Sequence, residues 1–312
     1  MPEAIREIVI ISGKGGTGKT SVTGAFAALA GRQGNAVLCD LDVDAPDLHL
    51  LLDPRPEREE DFISGNEARI DPGLCTGCGT CADVCRFGAI GEADGVFAVD
   101  PLRCEGCKVC VALCPAGAVE FPPRHCGRRA VSTTRFGPMV HAQLFPGQEN
   151  SGRLVSLLKT EARALARERG KELILCDGAP GIGCPVISSL SGVHLAVAVT
   201  EPTPSGRHDL ERVAALCAHF RVPLAVLVNK ADLNPEATRE LAGLCRDQGY
   251  ELLGELPYDP VFVQAMIQRK VVTELPPSPV SEVLARAWER ISRPCGPPAR
   301  RTSLQQFNAQ GE

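Results

Sequence analysis

The run Gly13-Lys14-Gly15-Gly16-Thr17-Gly18-Lys19-Thr20 satisfies G-x-x-x-x-G-K-[ST], with an apolar strand pattern at Glu7–Ser12 before it and a helical pattern at Lys19–Gln33 after it. Such a loop needs a strand to fix its start and a helix N-terminus to finish it, so it commits the chain to a strand–loop–helix core. Its glycines let successive backbone N–H groups turn toward phosphate oxygens, and the helix N-terminus adds partial positive charge. Gly13, Gly15, Gly16, Thr17, Gly18 and Ser21 therefore form the expected nucleotide cradle. Lys19 is expected to reach the β- and γ-phosphates, and the Thr20 hydroxyl to bind Mg²⁺.

The rest of the chain repeats that alternation. Strand patterns at Ala36–Asp40, Lys171–Asp177, His194–Thr200, Leu224–Lys230 and Glu251–Pro257 are interleaved with helical patterns at Ser151–Arg169, Ser205–Phe220 and Pro235–Gly249. This order argues for an α/β fold with a mostly parallel sheet and helices on both faces. The rhythm breaks between about Glu67 and Arg124, where Gly, Pro and Cys punctuate every few residues. The division expected is residues 1–66 and 125–292 for one discontinuous nucleotide-binding domain and 67–124 for a small α+β insert. The tail at 293–312, rich in Pro, Arg and Gln, reads as disordered.

Of the 15 cysteines, eight fall between Cys75 and Cys114, and a net charge of −5 carries no global signature of nucleic-acid binding. The N-terminus lacks the apolar length and cleavage site of a secretory leader, and no run approaches a membrane span. Cytoplasmic residence is the default, where thiols stay free to bind metal. Cys75, Cys78, Cys81 and Cys85 recur 29 residues later as Cys104, Cys107, Cys110 and Cys114, an internal duplication. Structural zinc is the competing use of such thiolates, but zinc ribbons use two C-x₂-C pairs.

Each repeat, C-x₂-C-x₂-C-x₃-C, is similar to the repeats of two-cluster bacterial ferredoxins, in which the fourth cysteine crosses to the other cluster. That resemblance implies one [4Fe–4S] cluster on Cys75, Cys78, Cys81 and Cys114 and a second on Cys104, Cys107, Cys110 and Cys85. One departure is visible: Pro115 follows Cys114 as the pattern expects, but Arg86 follows Cys85. The form K-G-G-T-G-K-T resembles the deviant Walker A loop of the MinD/ParA/Mrp and nitrogenase iron-protein superfamily, which also holds cobyrinic acid a,c-diamide synthase-like enzymes. The resemblance implies that Lys14 acts in trans on the partner's phosphates across a nucleotide-sandwiched homodimer. It further implies that Asp42, in Cys39-Asp40-Leu41-Asp42-Val43-Asp44, orients the attacking water and touches the Mg²⁺ shell, with Asp44 in reserve. Asp177, in Asp177-Gly178-Ala179-Pro180-Gly181, holds Mg²⁺ through water on the same reading.

Asn229-Lys230-Ala231-Asp232 alone matches the guanine-reading N-K-x-D of GTPases, whereas within the superfamily an asparagine there contacts adenine; ATP is the nucleotide expected, GTP the alternative. Pro202 is placed beside the base, and His208 lies near the crevice. Cys184 and Cys126 are candidate ligands for a third, subunit-bridging cluster like that of the nitrogenase iron protein. The function expected is an ATP-hydrolysing iron–sulfur protein that couples dimer switching to electron transfer, with a redox or cluster-acceptor protein as partner. Mrp-like cluster assembly or delivery is one alternative. A MinD/ParA-like positioning switch is another, although no Lys/Arg-rich amphipathic C-terminal helix is evident.

Overall fold

The computed structural model describes residues 5–292 except 94 and 149, so the tail expected at 293–312 lies outside the described residues. Its strands are β1 (Arg6–Ser12), β2 (Ala36–Asp40), β3 (Arg55–Asn66), β4 (Arg69–Ile70), β5 (Ile90–Ala93), β6 (Val96–Val99), β7 (Val119–Glu120), β8 (Pro123–Thr134), β9 (Gly137–Leu144), β10 (Leu173–Pro180), β11 (Leu195–Thr200), β12 (Leu224–Val228) and β13 (Glu251–Glu255). Its helices are α1 (Lys19–Gly31), α2 (Leu48–Leu52), α3 (Thr80–Asp83), α4 (Val109–Leu113), α5 (Ser151–Glu168), α6 (Cys184–Leu190), α7 (Pro204–His219), α8 (Pro235–Gln248), α9 (Val261–Ile267) and α10 (Pro279–Ser292).

Nine strands form one sheet in the order β13-β12-β11-β1-β10-β2-β9-β8-β3. From β13 to β9 every pairing is parallel; β8 and β3 then add an antiparallel flank. The central parallel strands β1, β2, β10, β11 and β12 are almost wholly buried, which is why their middles read as apolar runs. On β1, Val9 and Ile11 enter one core with Leu154, Leu158 and Val186 of α5 and α6, while Ile8 and Ile10 enter the other with Phe26 of α1 and Trp288 of α10. Each fully buried aliphatic side chain contributes about 1.5–3 kcal/mol. Helix α10 spends its apolar face internally: Val280, Leu284, Ala287, Trp288 and Ile291 are buried, and Trp288 meets Phe26 at a ring separation of 5.5 Å.

The antiparallel arms β3 and β8 carry the cysteine-rich segment, and their ladder ends at Asn66 opposite Pro123. Beyond it residues 67–122 form a small body with two short sheets, β4–β7 and β5–β6, and a sparse core of Ala68, Cys81, Cys110 and Val119. The two sequence repeats repeat in conformation. Gly88 and Gly117 have φ of 59° and 62°, and the next N–H donates to a cysteine sulfur in each, Ala89 to Cys85 Sγ and Ala118 to Cys114 Sγ, both at 3.4 Å. Gly79 with φ of 77° is matched by Lys108 at 66°.

Candidate functional site

The sheet order brings the C-terminal ends of β1, β10, β2 and β11 to one edge, where open α/β sheets form their ligand crevice. The loop after β1 runs there into α1, with Gly16 and Gly18 at φ of 78° and 90°, conformations that suit glycine. At Gly13 a Cβ would stand 2.3 Å from Cβ of Asp209, so no larger residue fits.

Lys19 is 6% exposed and lies between two carboxylates, Asp177 at 3.0 Å and Asp42 at 3.4 Å. Burial lowers its proton affinity, but Asp177, Asp42 and Asp40 outweigh that and leave the pKa raised. Asp177, at 0% exposure, also accepts from Thr20 Oγ1 and Thr23 Oγ1, both at 2.7 Å. Asp42 lies beside them; burial pushes its pKa up despite Lys19. Asp44 is raised by burial too, but no ion pair or side-chain hydrogen bond joins it to this group. Sequence reasoning placed no role on Asp40. It is 1% exposed, its Oδ1 accepts from the Asp42 backbone N–H at 3.1 Å, and burial and Asp177 raise its pKa well above the carboxylate range.

The cradle fits a nucleotide with its cation. Thr17 Oγ1 and Asp40 Oδ2 are buried without a hydrogen-bond partner, and buried polar atoms of this kind call for a ligand or water. Oxygen donors on Thr20, Asp42, Asp177 and Asp40 suit a hard cation such as Mg²⁺.

Lys14 starts the loop and is held within its own chain, pairing with Glu201 at 3.3 Å and donating to Ser205 Oγ at 3.1 Å. Glu201 also takes Lys230, and these lysines lower its pKa against the opposing effect of burial. Neither Glu201 nor Lys230 carried a sequence signal for this role; strand order alone brings them together. Asn229 is 6% exposed, and its amide donates to the Thr17 carbonyl at 2.8 Å beneath the loop. A Cβ on Gly18 would come within 2.5 Å of that amide nitrogen. Asn229 thus buttresses the phosphate loop from beneath. Asp232 accepts from the Tyr258 backbone N–H at 2.6 Å. Pro202 is buried at the entrance to α7, and His208 is exposed on that helix.

In the 67–122 body the eight cysteines line two cavities in the crossed arrangement. Cys75, Cys78, Cys81 and Cys114 line one, with Ile70, Phe97 and Val119. Cys85, Cys104, Cys107 and Cys110 line the other, with Ala68, Val99 and Phe121. All cysteines among the described residues are free thiols. No three His, Cys, Asp or Glu groups among the described residues converge on a single metal ion. Four soft thiolates around an apolar space suit an iron–sulfur cluster.

Cys126 and Cys184, the candidate ligands of a subunit-bridging cluster, sit in different environments. Cys126 is 0% exposed in β8 with its thiol donating to the Ser64 carbonyl at 3.2 Å, whereas Cys184 is exposed at the start of α6. A subunit-bridging ligand has to reach the surface, and Cys126 points into the core. Asn150 flanks α5 at φ of 76°, and its side chain makes no capping bond.

The comparisons with known proteins agree with this geometry. The CobQ/CobB/MinD/ParA nucleotide-binding domain matches residues 8–272. An uncharacterized protein of Methanocaldococcus jannaschii is 33% identical over 287 residues, 92% of this chain and 96% of its own. The fold is similar to that of the septum site-determining protein MinD of Pyrococcus horikoshii, solved with Mg-ADP, at a TM-score of 0.56 and 16% identity over 92% of this chain and 96% of the other. It is similar as well to the cell division ATPase MinD of Pyrococcus furiosus, at 0.54 and 19% over 92% and 98%. Among the described residues no helix is long and apolar enough to cross a membrane. With its phosphate loop, buried lysine–carboxylate cluster and parallel sheet all inside the matched span, the chain belongs to the CobQ/CobB/MinD/ParA family of nucleotide-binding domains.

Proposed function

We propose that the protein is an Mg²⁺-dependent ATPase whose nucleotide-driven homodimer switching is coupled to two [4Fe–4S] clusters in residues 67–124, which pass electrons to a partner protein. The observation that carries this reading is the crossed partition of eight cysteines into two cavities on a body borne by β3 and β8, the arms that leave the Asp42 segment and return beside it. A bound pair of clusters supplies one-electron chemistry on cysteine thiolates.

In this reading Thr17, the loop N–H groups and Lys19 bind the phosphates, and Thr20, Asp42 and Asp177 would hold Mg²⁺, with Asp40 behind them. Asp42 orients the attacking water. Lys14 leaves Glu201 and Ser205 and reaches the partner's phosphates, stabilising charge as an arginine finger does elsewhere.

Cys78 and Cys107 are exposed, one in each set, which favours cluster delivery to an acceptor as the second reading. An electron donor keeps its iron through turnover, whereas a carrier loses it stoichiometrically to an apo-acceptor. The test is anaerobic purification with iron analysis, hydrolysis assays and sizing with and without ATP. About eight iron atoms per chain and an ATP-dependent dimer are expected. A chain without iron, or one whose assembly ignores ATP, defeats the proposal. Co-sedimentation with liposomes or DNA in ATP tests the positioning-switch alternative.

A further inference from the structure

The two cysteine sets stand at different distances from the nucleotide-binding body. Ala68 and Phe121, just beyond the β3 and β8 arms, line the cavity of Cys85, Cys104, Cys107 and Cys110. Ile70, Ala118 and Val119, further along, line the other. Gly106, between Cys104 and Cys107, lies so close to the arm that a Cβ would stand 2.4 Å from the Asn66 carbonyl oxygen. Leu102 reaches the turn after β9, where a Cβ on Gly147 would come within 2.8 Å of it. The set containing Cys104 is therefore proximal and the set containing Cys75 distal.

One cation grips the proximal set. Arg124, at the start of β8, donates through Nη2 to the Pro101 carbonyl at 3.0 Å and the Cys104 carbonyl at 2.5 Å, and its Nε pairs with Glu67 at 3.4 Å. Among the described residues no side chain makes the matching contacts to the Pro72 and Cys75 carbonyls of the first repeat.

The strand that bears Arg124 is linked to the Asp42 segment by hydrogen bonds and toward the Asp177 loop by a chain of hydrogen bonds and packing. Two residues on, the Cys126 thiol donates to the Ser64 carbonyl at 3.2 Å, and Ser64 Oγ accepts from Arg153 Nη1 of α5 at 3.0 Å. Next to Arg153, Gly152 lies against Cys184 and Ser188 of α6, where a Cβ would meet them at 3.2 Å and 3.3 Å, and α6 follows the Asp177 loop. By a second route the Phe145 N–H donates to the Cys126 carbonyl at 2.9 Å and the Leu144 N–H to the carbonyl of Val43, the neighbour of Asp42, at 3.0 Å.

We propose that Arg124 is a positioning residue that links the proximal cysteine set to the nucleotide switches, so that nucleotide changes the reduction potential of one cluster and leaves the other alone. This rests on the reading that the cysteines hold clusters. Reduction adds negative charge, so a guanidinium beside the proximal loop favours the reduced form, and its removal lowers that potential.

The experiment is a redox titration followed by electron paramagnetic resonance on the full-length, anaerobically purified protein, with and without a non-hydrolysable ATP analogue. In the wild type the analogue shifts one of two waves. Cys107→Ser alters or removes that same wave, which identifies it as proximal. Arg124→Gln lowers that wave and abolishes its response while analogue affinity stays unchanged. Arg124→Lys, which keeps the charge but not the forked grip on two carbonyls, keeps the potential near the wild-type value and weakens the response. The proposal is overturned if the analogue shifts both waves alike, shifts the wave that Cys107→Ser leaves intact, or shifts the proximal wave undiminished in both Arg124 variants. Absence of clusters overturns both this inference and the function it rests on; full iron with an undiminished response overturns this one alone.

Discussion

Replacing Lys19 with methionine isolates the electrostatic design of the nucleotide site. The ammonium is nearly buried against Asp177 at 3.0 Å and Asp42 at 3.4 Å, and Asp40 is a third buried carboxyl whose proton affinity is raised by burial and by Asp177. Breaking a buried ion pair from one side costs about 3–5 kcal/mol, because the remaining charge is left uncompensated. Methionine keeps most of the stem packing, so the loss reports charge and not a cavity. The pH dependence has a definite sign. Asp40 and Asp42 have folded pKa values above the unfolded value of 3.8, so the folded state holds protons the unfolded chain has released. Stability falls as pH rises from that value through the folded pKa values, and the fall is steeper without Lys19. Urea unfolding of nucleotide-free protein across pH 5 to pH 8 measures it. The Lys19→Met deficit is expected to be near 3–5 kcal/mol at the alkaline end and to shrink toward acid. A deficit below about 1 kcal/mol, or one that grows toward acid, refutes the picture of a buried cation holding three carboxylates together.

Lys14→Ala is expected to spare most ATP binding and to lower kcat by about 10³-fold or more, read in single-turnover hydrolysis; normal hydrolysis removes the trans role. Asn229→Ala removes the amide that holds the Thr17 carbonyl at 2.8 Å, and ATP affinity measured by calorimetry is expected to fall about tenfold, for a loss of 1–2 kcal/mol. Gly106→Ala forces a Cβ to 2.4 Å from the Asn66 carbonyl at φ of +62°, whereas Gly117→Ala meets open space at φ of +62°; iron content is expected to drop sharply in the first and little in the second. His141, whose pKa is lowered to about 4 by burial and His49, stays neutral in the folded state until well below its ordinary 6.5. The unfolded chain therefore binds the extra proton first, and up to about 3 kcal/mol of stability is lost as pH falls from 6.5 through 4. NMR titration of its ring checks the value.

The parallel half of the sheet was legible because a strand buried on both faces has to be apolar in its middle, and residues 8–11, 173–176, 195–199 and 224–228 are. The antiparallel flank was not, because β3 reads R-P-E-R-E-E-D-F-I-S-G-N with only Phe62 and Ser64 buried. Its pairing is sustained by charges that come from elsewhere in the chain, among them Arg169 on Glu57 at 2.8 Å and Arg129 on Glu161 at 2.6 Å, with Arg129 also reaching Glu60. In the site, the phosphate loop and the cysteine repeats are local motifs and stood out at once. Asp40, Thr23, Glu201 and Lys230 gain their roles only when strand order sets their ends side by side. Asn229 shows the limit of motif reading: the N-K-x-D letters say nothing of its brace on the Thr17 carbonyl, which only the position of β12 beside the loop reveals.

The proposed coupling of a nucleotide switch to two clusters is most sharply tested by the pair of cluster potentials in anaerobic protein, recorded with no nucleotide and with a non-hydrolysable ATP analogue. Two waves are expected, one of which moves when the analogue binds and returns when it is removed. Two waves that stay fixed while the analogue is demonstrably bound would contradict that coupling.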